Sequence, residues 1–462
     1  MTELCIHSPY DGAHLETLEL DDAPALESKL ARLGSVMTRR AWLPKFERYS
    51  ILERATALIE QRTESLARLA ASEGGKPLLD SRVEIVRAAD GLRAACAALR
   101  QDRGHEVPMG LTPASTGRFA HTHHEPVGVV GAISAFNHPF NLAVHQLVPA
   151  VATGCPVLIK PASSTPLSCR ALLGILREAG LPEEQAEMTL LPADLSEKFA
   201  GDSRLGFLSF IGSAAVGWKL KKLLAPGVTC ALEHGGVAPL LLHETADLDA
   251  AARGIVKGGF YHAGQVCVSV QRVYVPRSQL QALLDRLVPA VRALRVGDPL
   301  DERTEVGPLI NEREVARVAS WVDEAVAAGA QLLCGGKPLG ETSYEPTLLL
   351  DPPSEAHVSC EEVFGPVVCI YPFDSWDDAI ERANAVDSCF QAALFTSDLD
   401  VALSGARRLR GTTVLINEHT AFRTDWMPFG GRGRSGLGLG GIDQSMRDMT
   451  AERMIVFRSS AL

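Results

Sequence analysis

Val127-Gly128-Val129-Val130-Gly131-Ala132-Ile133-Ser134 carries no charge and reads as a short buried strand. It is followed by Phe136-Asn137-His138-Pro139 and an apolar helix that reaches Ala152. Residues 156–160 form a second strand ending at Lys160-Pro161, and residues 168–179 form a helix closed by Gly180. Strand, helix, strand, helix requires crossover connections, so the sheet is parallel. Downstream, residues 207–210 lead through Gly212-Ser213 into a helix, and the strand 228–233 ends at Gly235-Gly236.

Upstream, Leu52, Leu58, Ile59, Leu66 and Leu69 recur at helical spacing over residues 49–71, with Gly74-Gly75 as the stop. Residues 82–99 repeat the pattern with Ile85, Val86, Ala89, Leu92, Ala95, Cys96 and Leu99, so the opening hundred residues are expected to be mainly helical. Past residue 235 the alternation restarts. Helices are expected at 246–261, 280–294, 314–329 and 377–384, and strands at 271–275, 330–334 and 412–417. Two α/β domains joined near residue 235 follow.

The chain has 462 residues, 46% of them hydrophobic and 22% charged, enough for one or two large cores. A net charge of -11 is the wrong sign for gripping a phosphate backbone, so no nucleic acid partner is expected. No apolar run approaches the roughly 20 residues a membrane helix needs, and residues 1–16 lack the basic and apolar regions of a signal peptide. A soluble, cytoplasmic protein without a membrane partner is the expectation. The ten cysteines include no closely spaced pair, the nearest being Cys360 and Cys369, which fits neither a disulfide scaffold nor a zinc ribbon. His121, His123 and His124 cluster without a nearby cysteine or acid at recognisable ligand spacing, so no metal is expected.

In Gly264-Gln265-Val266-Cys267-Val268-Ser269 a cysteine sits between a flexible turn and a strand. Glu233 lies 34 residues upstream (267 − 233), and Asn137 follows the first strand. These types make a chemical set. A thiolate attacks a carbonyl, an amide NH2 donates to the oxyanion that forms, and a carboxylate takes a proton from the thiol or from water.

With these residues the sequence resembles the aldehyde dehydrogenase superfamily over nearly its whole length. The motifs are Phe136-Asn137-His138-Pro139, Leu158-Ile159-Lys160-Pro161, Phe210-Ile211-Gly212-Ser213, Glu233-His234-Gly235-Gly236, Gly264-Gln265-Val266-Cys267, Glu361-Glu362-Val363-Phe364-Gly365-Pro366 and Met427-Pro428-Phe429-Gly430-Gly431, in the family's order. The resemblance implies an α/β fold with a Rossmann-type cofactor domain (1–103 and 127–234), a catalytic domain (235–434) and a bridging element (104–126 and 435–462). It implies that Cys267 is the nucleophile, Glu233 the base that activates water, and Asn137 with the Cys267 N–H the oxyanion hole. It also implies NAD or NADP as cofactor. Lys160 would serve the adenosine ribose, Gly212 and Ser213 the pyrophosphate turn, and Glu362 the nicotinamide ribose. Phe364 would pack near the nicotinamide, and Phe136, Ser163 and Val216 complete the set. The G-x-G-x-x-G matches, Gly431 to Gly436 and the overlapping Gly436 to Gly441, lie near the end of the sequence and do not join a strand to a helix in a βαβ unit, so the ordinary dinucleotide fingerprint is absent.

Three departures from the family pattern bear on specificity. Ser163 stands where NAD-preferring members often carry a glutamate that would repel a 2′-phosphate, so NADP is expected to be at least tolerated. His145 and Gln146 replace residues that are commonly Trp and Lys. Arg423, in a loop that usually supplies apolar walls, suits a carboxylate, sulfonate or phosphonate, with His138, His145, Tyr261 and Gln265 as further substrate contacts. An ion pair between Arg423 and Asp425 is the competing arrangement. The expected reaction is hydrolytic oxidation of a short polar or anionic aldehyde, with transfer of the thioester to coenzyme A, or a binding protein that has lost the reaction, as alternatives. A homodimer or homotetramer is implied, in which Ile455-Val456-Phe457 finds a partner or pairs within the chain.

Overall fold

The computed structural model describes residues 3–461, the side chain of Cys389 apart. Six strands form one sheet in the order Gly436–Leu437, Thr229–Glu233, Leu205–Ile211, Val129–Ile133, Val157–Lys160, Ala186–Met188. All pairings are parallel except that of Gly436–Leu437. Alternate residues of the central strands enter different cores. Val130, Ala132, Val157 and Ile159 pack with helices Lys45–Gln61, Leu78–Gln101, Pro139–Thr153 and Pro166–Glu178, whereas Val129, Ile133 and Leu158 pack with Ala23–Thr38 and Ala193–Ala200 on the other face. This is a doubly wound sheet. Its order reverses between Val129–Ile133 and Leu205–Ile211, where a crevice opens at the carboxyl ends of the strands.

The chain crosses to a second sheet between Glu233 and Ala238. Its order is Gln331–Cys334, Thr347–Leu350, Val367–Phe373, Val270–Pro276, Ala238–Leu242, Gln391–Phe395, Thr413–Ile416, parallel except for the first pair. Strands Thr347–Leu350, Val367–Phe373 and Gln391–Phe395 were not expected from the sequence. Nearly every side chain in them is buried, so they lack the alternation that marks a half-exposed strand.

One further expectation is corrected. The helix at 49–71 is two helices, Lys45–Gln61 and Thr63–Gly74, because Arg62 leaves helical geometry and the Thr63 hydroxyl donates back to the Ile59 and Glu60 carbonyls. The opening hundred residues are mainly helical, as expected, but they begin with an antiparallel hairpin, Glu3–His7 against His14–Glu19, in which Ile6 is the one buried hydrophobic residue, too little to show as a pattern. Within 435–462, Ile442, Met446 and Met449 pack into the first core, whereas Thr450–Arg458 pairs antiparallel with Arg118–Pro126. Among the described residues no helix is long and apolar enough to cross a membrane.

Candidate active site

A cavity of about 500 Å³ lies where the carboxyl ends of the first sheet meet loops of the second. The first sheet contributes Asn137, Gly212 and Glu233, and the second contributes Cys267, Glu362 and Arg423. Asn137, Glu233 and Cys267 thus share one cavity. Phe136, His138, Ser213, Val216, Tyr261 and Phe364 also line it.

The turn before Cys267 is strained. His262 and Ala263 have positive φ (49° and 54°), which non-glycine residues rarely adopt, and Gly264 follows at φ 71°. A Cβ on Gly264 would lie 2.1 Å from the Gly365 carbonyl oxygen, so this approach requires glycine and ties the cysteine turn to the Glu362 segment. The Asn137 amide donates to the Gln265 carbonyl (2.8 Å), which anchors it two residues before the thiol.

Burial, reinforced by Glu362 and Glu233, holds the Cys267 thiol above its ordinary range, and Arg423 opposes the shift. Burial raises Glu233 too, again against Arg423, and pushes Glu362 up to about 8. Glu362 Oε1 and the Ser134 hydroxyl, both on residues that line the cavity, are buried without a hydrogen-bond partner. A Cβ on Gly235 would fall within 2.0 Å of the Glu362 carboxylate oxygens, so glycine makes the space this side chain occupies. Unpaired buried polar groups are costly, and the glycine cradle beside an open acceptor fits the hydroxyl-rich ribose of a dinucleotide.

Arg423 does not pair with Asp425. That carboxylate accepts two hydrogen bonds from Arg87 (3.0 Å each), one from His145 Nε2 (2.7 Å) and one from the Asn141 amide (3.0 Å). Burial works to raise Asp425, but the His145 hydrogen bond and the charges of Arg87 and Arg423 hold it well below the usual carboxylate range. Arg423 is left with contacts of 3.5 Å to the His145 ring nitrogens and a place 3.6 Å over the Phe429 ring, and its Nε has no partner.

Four expected site residues do not line the cavity. His145 is buried and bound to Asp425, and burial, aided by Arg423, lowers it to about 4. The Gln265 side chain is spent on the chain itself, donating to Pro308 and accepting from the Ile310 N–H. Lys160 and Ser163 flank Ala162, which does line it. Arg87 and Arg317 were missed, since one arginine among many on a helix gives no signal of the loop it faces. Arg317 donates to the Val363 carbonyl and stacks on Trp321 (4.7 Å).

The aldehyde dehydrogenase family model matches residues 2–455. The chain belongs to this family. It is 39% identical over 412 residues to the 3-sulfolactaldehyde dehydrogenase of Priestia aryabhattai, covering 89% of this chain and 86% of the relative. The glyceraldehyde-3-phosphate dehydrogenase GapN from Methanocaldococcus jannaschii, solved with NADP, superposes with a TM-score of 0.94 at 31% identity, covering 99% of both chains. Aldehyde dehydrogenase 21 from Physcomitrella patens, solved with the reaction product succinate, gives 0.95 at 31% identity, covering 99% of this chain and 95% of that one. The protein is thus an NAD(P)-dependent aldehyde dehydrogenase, and its cofactor is NAD or NADP.

The Asp425 cluster makes a prediction about this dehydrogenase. Asp425→Ala leaves Arg87 without its counter-charge and is expected to destabilise the protein by about 3 kcal/mol at neutral pH. Because folding depresses Asp425, its contribution is complete above the ordinary carboxylate value near 4 and fades as the pH falls through and below it. Thermal unfolding midpoints of the wild type and the variant should converge on acidification, and a gap independent of pH would show that charge is not its source.

Proposed function

We propose that the protein oxidises a short anionic aldehyde to the carboxylic acid through a thioester on Cys267 that water hydrolyses. The observation that carries the anionic preference is Arg423, a guanidinium lining the cavity whose expected partner, Asp425, is taken by Arg87, His145 and Asn141. The sulfolactaldehyde, glyceraldehyde-3-phosphate and succinate in the names of its relatives all carry an anionic group, which supports the same preference.

Its surroundings hold the thiol above its ordinary range, so attack on the aldehyde carbon needs a base; of the three carboxylates that line the cavity, Glu314 is paired with Arg317 and Glu362 is assigned to the cofactor, which leaves Glu233. Sulfur bonds to carbon, the thiol proton passes to a base, and the carbonyl oxygen becomes an oxyanion. The Asn137 amide has one N–H engaged with Gln265 and a second for that oxygen, and the Cys267 N–H is the other donor. NAD or NADP, when bound, would supply the acceptor for the hydride that leaves the former aldehyde carbon as the oxyanion collapses to the thioester; Glu362 would hold its nicotinamide ribose and Gly212 and Ser213 its pyrophosphate, with Phe136, Phe364 and Val216 as walls. Glu233 then takes a proton from water as the water oxygen adds to the thioester carbon, and the carbon–sulfur bond breaks to release the acid. A positioned carboxylate serves water, whereas coenzyme A brings its own thiol, so acid rather than acyl-CoA is the expected product.

Cys267→Ala should abolish aldehyde-dependent cofactor reduction. Arg423→Ala should raise KM for an anionic aldehyde by about tenfold or more while a neutral aldehyde of equal length changes little, the loss expected for one charged hydrogen-bonding partner. Equal KM values for the two aldehydes in wild type and variant alike would sink the anion site.

For the cofactor, Ser163 is exposed in the turn after Val157–Lys160, and the Lys160 ammonium has one long contact, 3.5 Å to the Pro161 carbonyl. No carboxylate at 163 repels a 2′-phosphate, so NADP is accepted. Ser163→Glu should cut the NADP specificity constant by about tenfold or more relative to NAD, as a like charge beside a phosphate does. A wild type that strongly prefers NAD would overturn this.

The homodimer or homotetramer rests on the sheet that Thr450–Arg458 forms with Arg118–Pro126. Met454, Val456 and Phe457 stay exposed although their strand is paired within the chain, and Phe457 stacks on Phe119 (6.2 Å) in the open. Sedimentation at micromolar concentration should give two or four chains, and Val456→Asp should shift it toward one. A wild-type monomer would exclude the assembly.

A further inference from the structure

Glu73 and Glu84 are fully buried, 0% and 1% exposed, and neither lines the cavity. Each accepts the first free N–H groups of a helix that lacks a cap of its own. Glu84 Oε1 accepts from the N–H groups of Phe140 and Asn141 (2.9 Å each) at the start of Pro139–Thr153, where His138 makes no capping bond. Its other oxygen holds Lys76, whose ammonium reaches the Asn137 carbonyl at 3.4 Å. Glu73 accepts from Leu167 and Ser168 (2.8 and 2.7 Å) at the start of Pro166–Glu178, where Thr165 makes no capping bond.

Glu73 stands at the end of its own helix, Thr63–Gly74, where the helix dipole disfavours a carboxylate, so the second helix accounts for its presence. The two capped helices directly follow the loops that carry Phe136 and Asn137 in one case and Ala162 and Ser163 in the other. The turn between Glu73 and Lys76 touches both loops, since a Cβ on Gly74 would lie 3.6 Å from the Phe136 carbonyl oxygen and 3.7 Å from Thr165.

We propose that Glu84, through Lys76 and the helix start, is a positioning residue for Asn137, and that Glu73 is a positioning residue for the cofactor loop at 160–163. This rests on the roles given above to Asn137, Lys160 and Ser163. One short segment of sequence then sets two parts of the site separately.

The separation is what the experiment reads. Steady-state kcat and the dissociation constant of NADH or NADPH, followed by the fluorescence of the reduced nicotinamide, are measured for the full-length wild type, Glu84→Gln, Glu73→Gln, Asn137→Ala and Asn137→Ala/Glu84→Gln. Glu84→Gln should lower kcat by about tenfold or more with the dissociation constant within about threefold, because small misplacements of an oriented group are expensive in rate. Glu73→Gln should raise the dissociation constant by about tenfold with the smaller effect on kcat. Asn137→Ala/Glu84→Gln should be no slower than Asn137→Ala, since the carboxylate acts through the amide.

Should Glu84→Gln lose its near-UV circular dichroism, Lys76→Met/Glu84→Gln removes both charges of the pair and is judged by the same criteria. The proposal is overturned if the two carboxylate variants shift kcat and the dissociation constant in the same proportion, if neither moves, or if the effects of Asn137→Ala and Glu84→Gln multiply. An unchanged kcat in Asn137→Ala would instead remove the role of Asn137 itself.

Discussion

A parallel strand is left by a helix that must return along the face of the sheet, so every strand of a doubly wound sheet releases its chain at the same edge. The rest of this molecule depends on that constraint. Ser134 to Asn137, Lys160, Gly212-Ser213 and Glu233 come from four strands scattered over a hundred residues, yet they emerge on one side because the strands run one way. The second sheet is set against that edge by its loops, and the Gly264 to Gly365 approach locks two of them together.

The cavity gathers groups whose charges oppose one another in a poorly solvated space. Glu233, Glu362 and the Cys267 thiol are all raised, first by burial, so each resists becoming an anion. Arg423 is the cation that counters two of them. It is available because Arg87, on a helix of the first domain, meets the Asp425 carboxylate across 338 positions of sequence. In water such a pair would be worth little, but with both partners largely screened from solvent it decides which arginine remains open to a ligand.

The four central strands of the first sheet were legible as short apolar runs bounded by turn residues, and most helices because their apolar residues recur at helical spacing. Thr347–Leu350, Val367–Phe373 and Gln391–Phe395 of the second sheet were not, since a segment covered on both faces has no period to display, although the equally buried Val270–Pro276 was placed by the helices on either side of it. Cys267, Glu233 and Asn137 were legible as a chemical set, because their residue types and local motifs are properties of the chain alone. His145 and Gln265 were expected to meet substrate but are consumed by internal hydrogen bonds, which local sequence does not encode.

By itself the sequence determined the alternation of strand and helix, the glycines that permit the turns, and the kinds of nucleophile, base and amide available. These follow from local sterics and from side-chain chemistry. Only the tertiary structure decided which arginine stays unpaired, which carboxylates cap helices and which face the cavity. A charge or an N–H group binds whatever lies within about 3 Å, and that neighbour is set by packing between segments far apart in the chain.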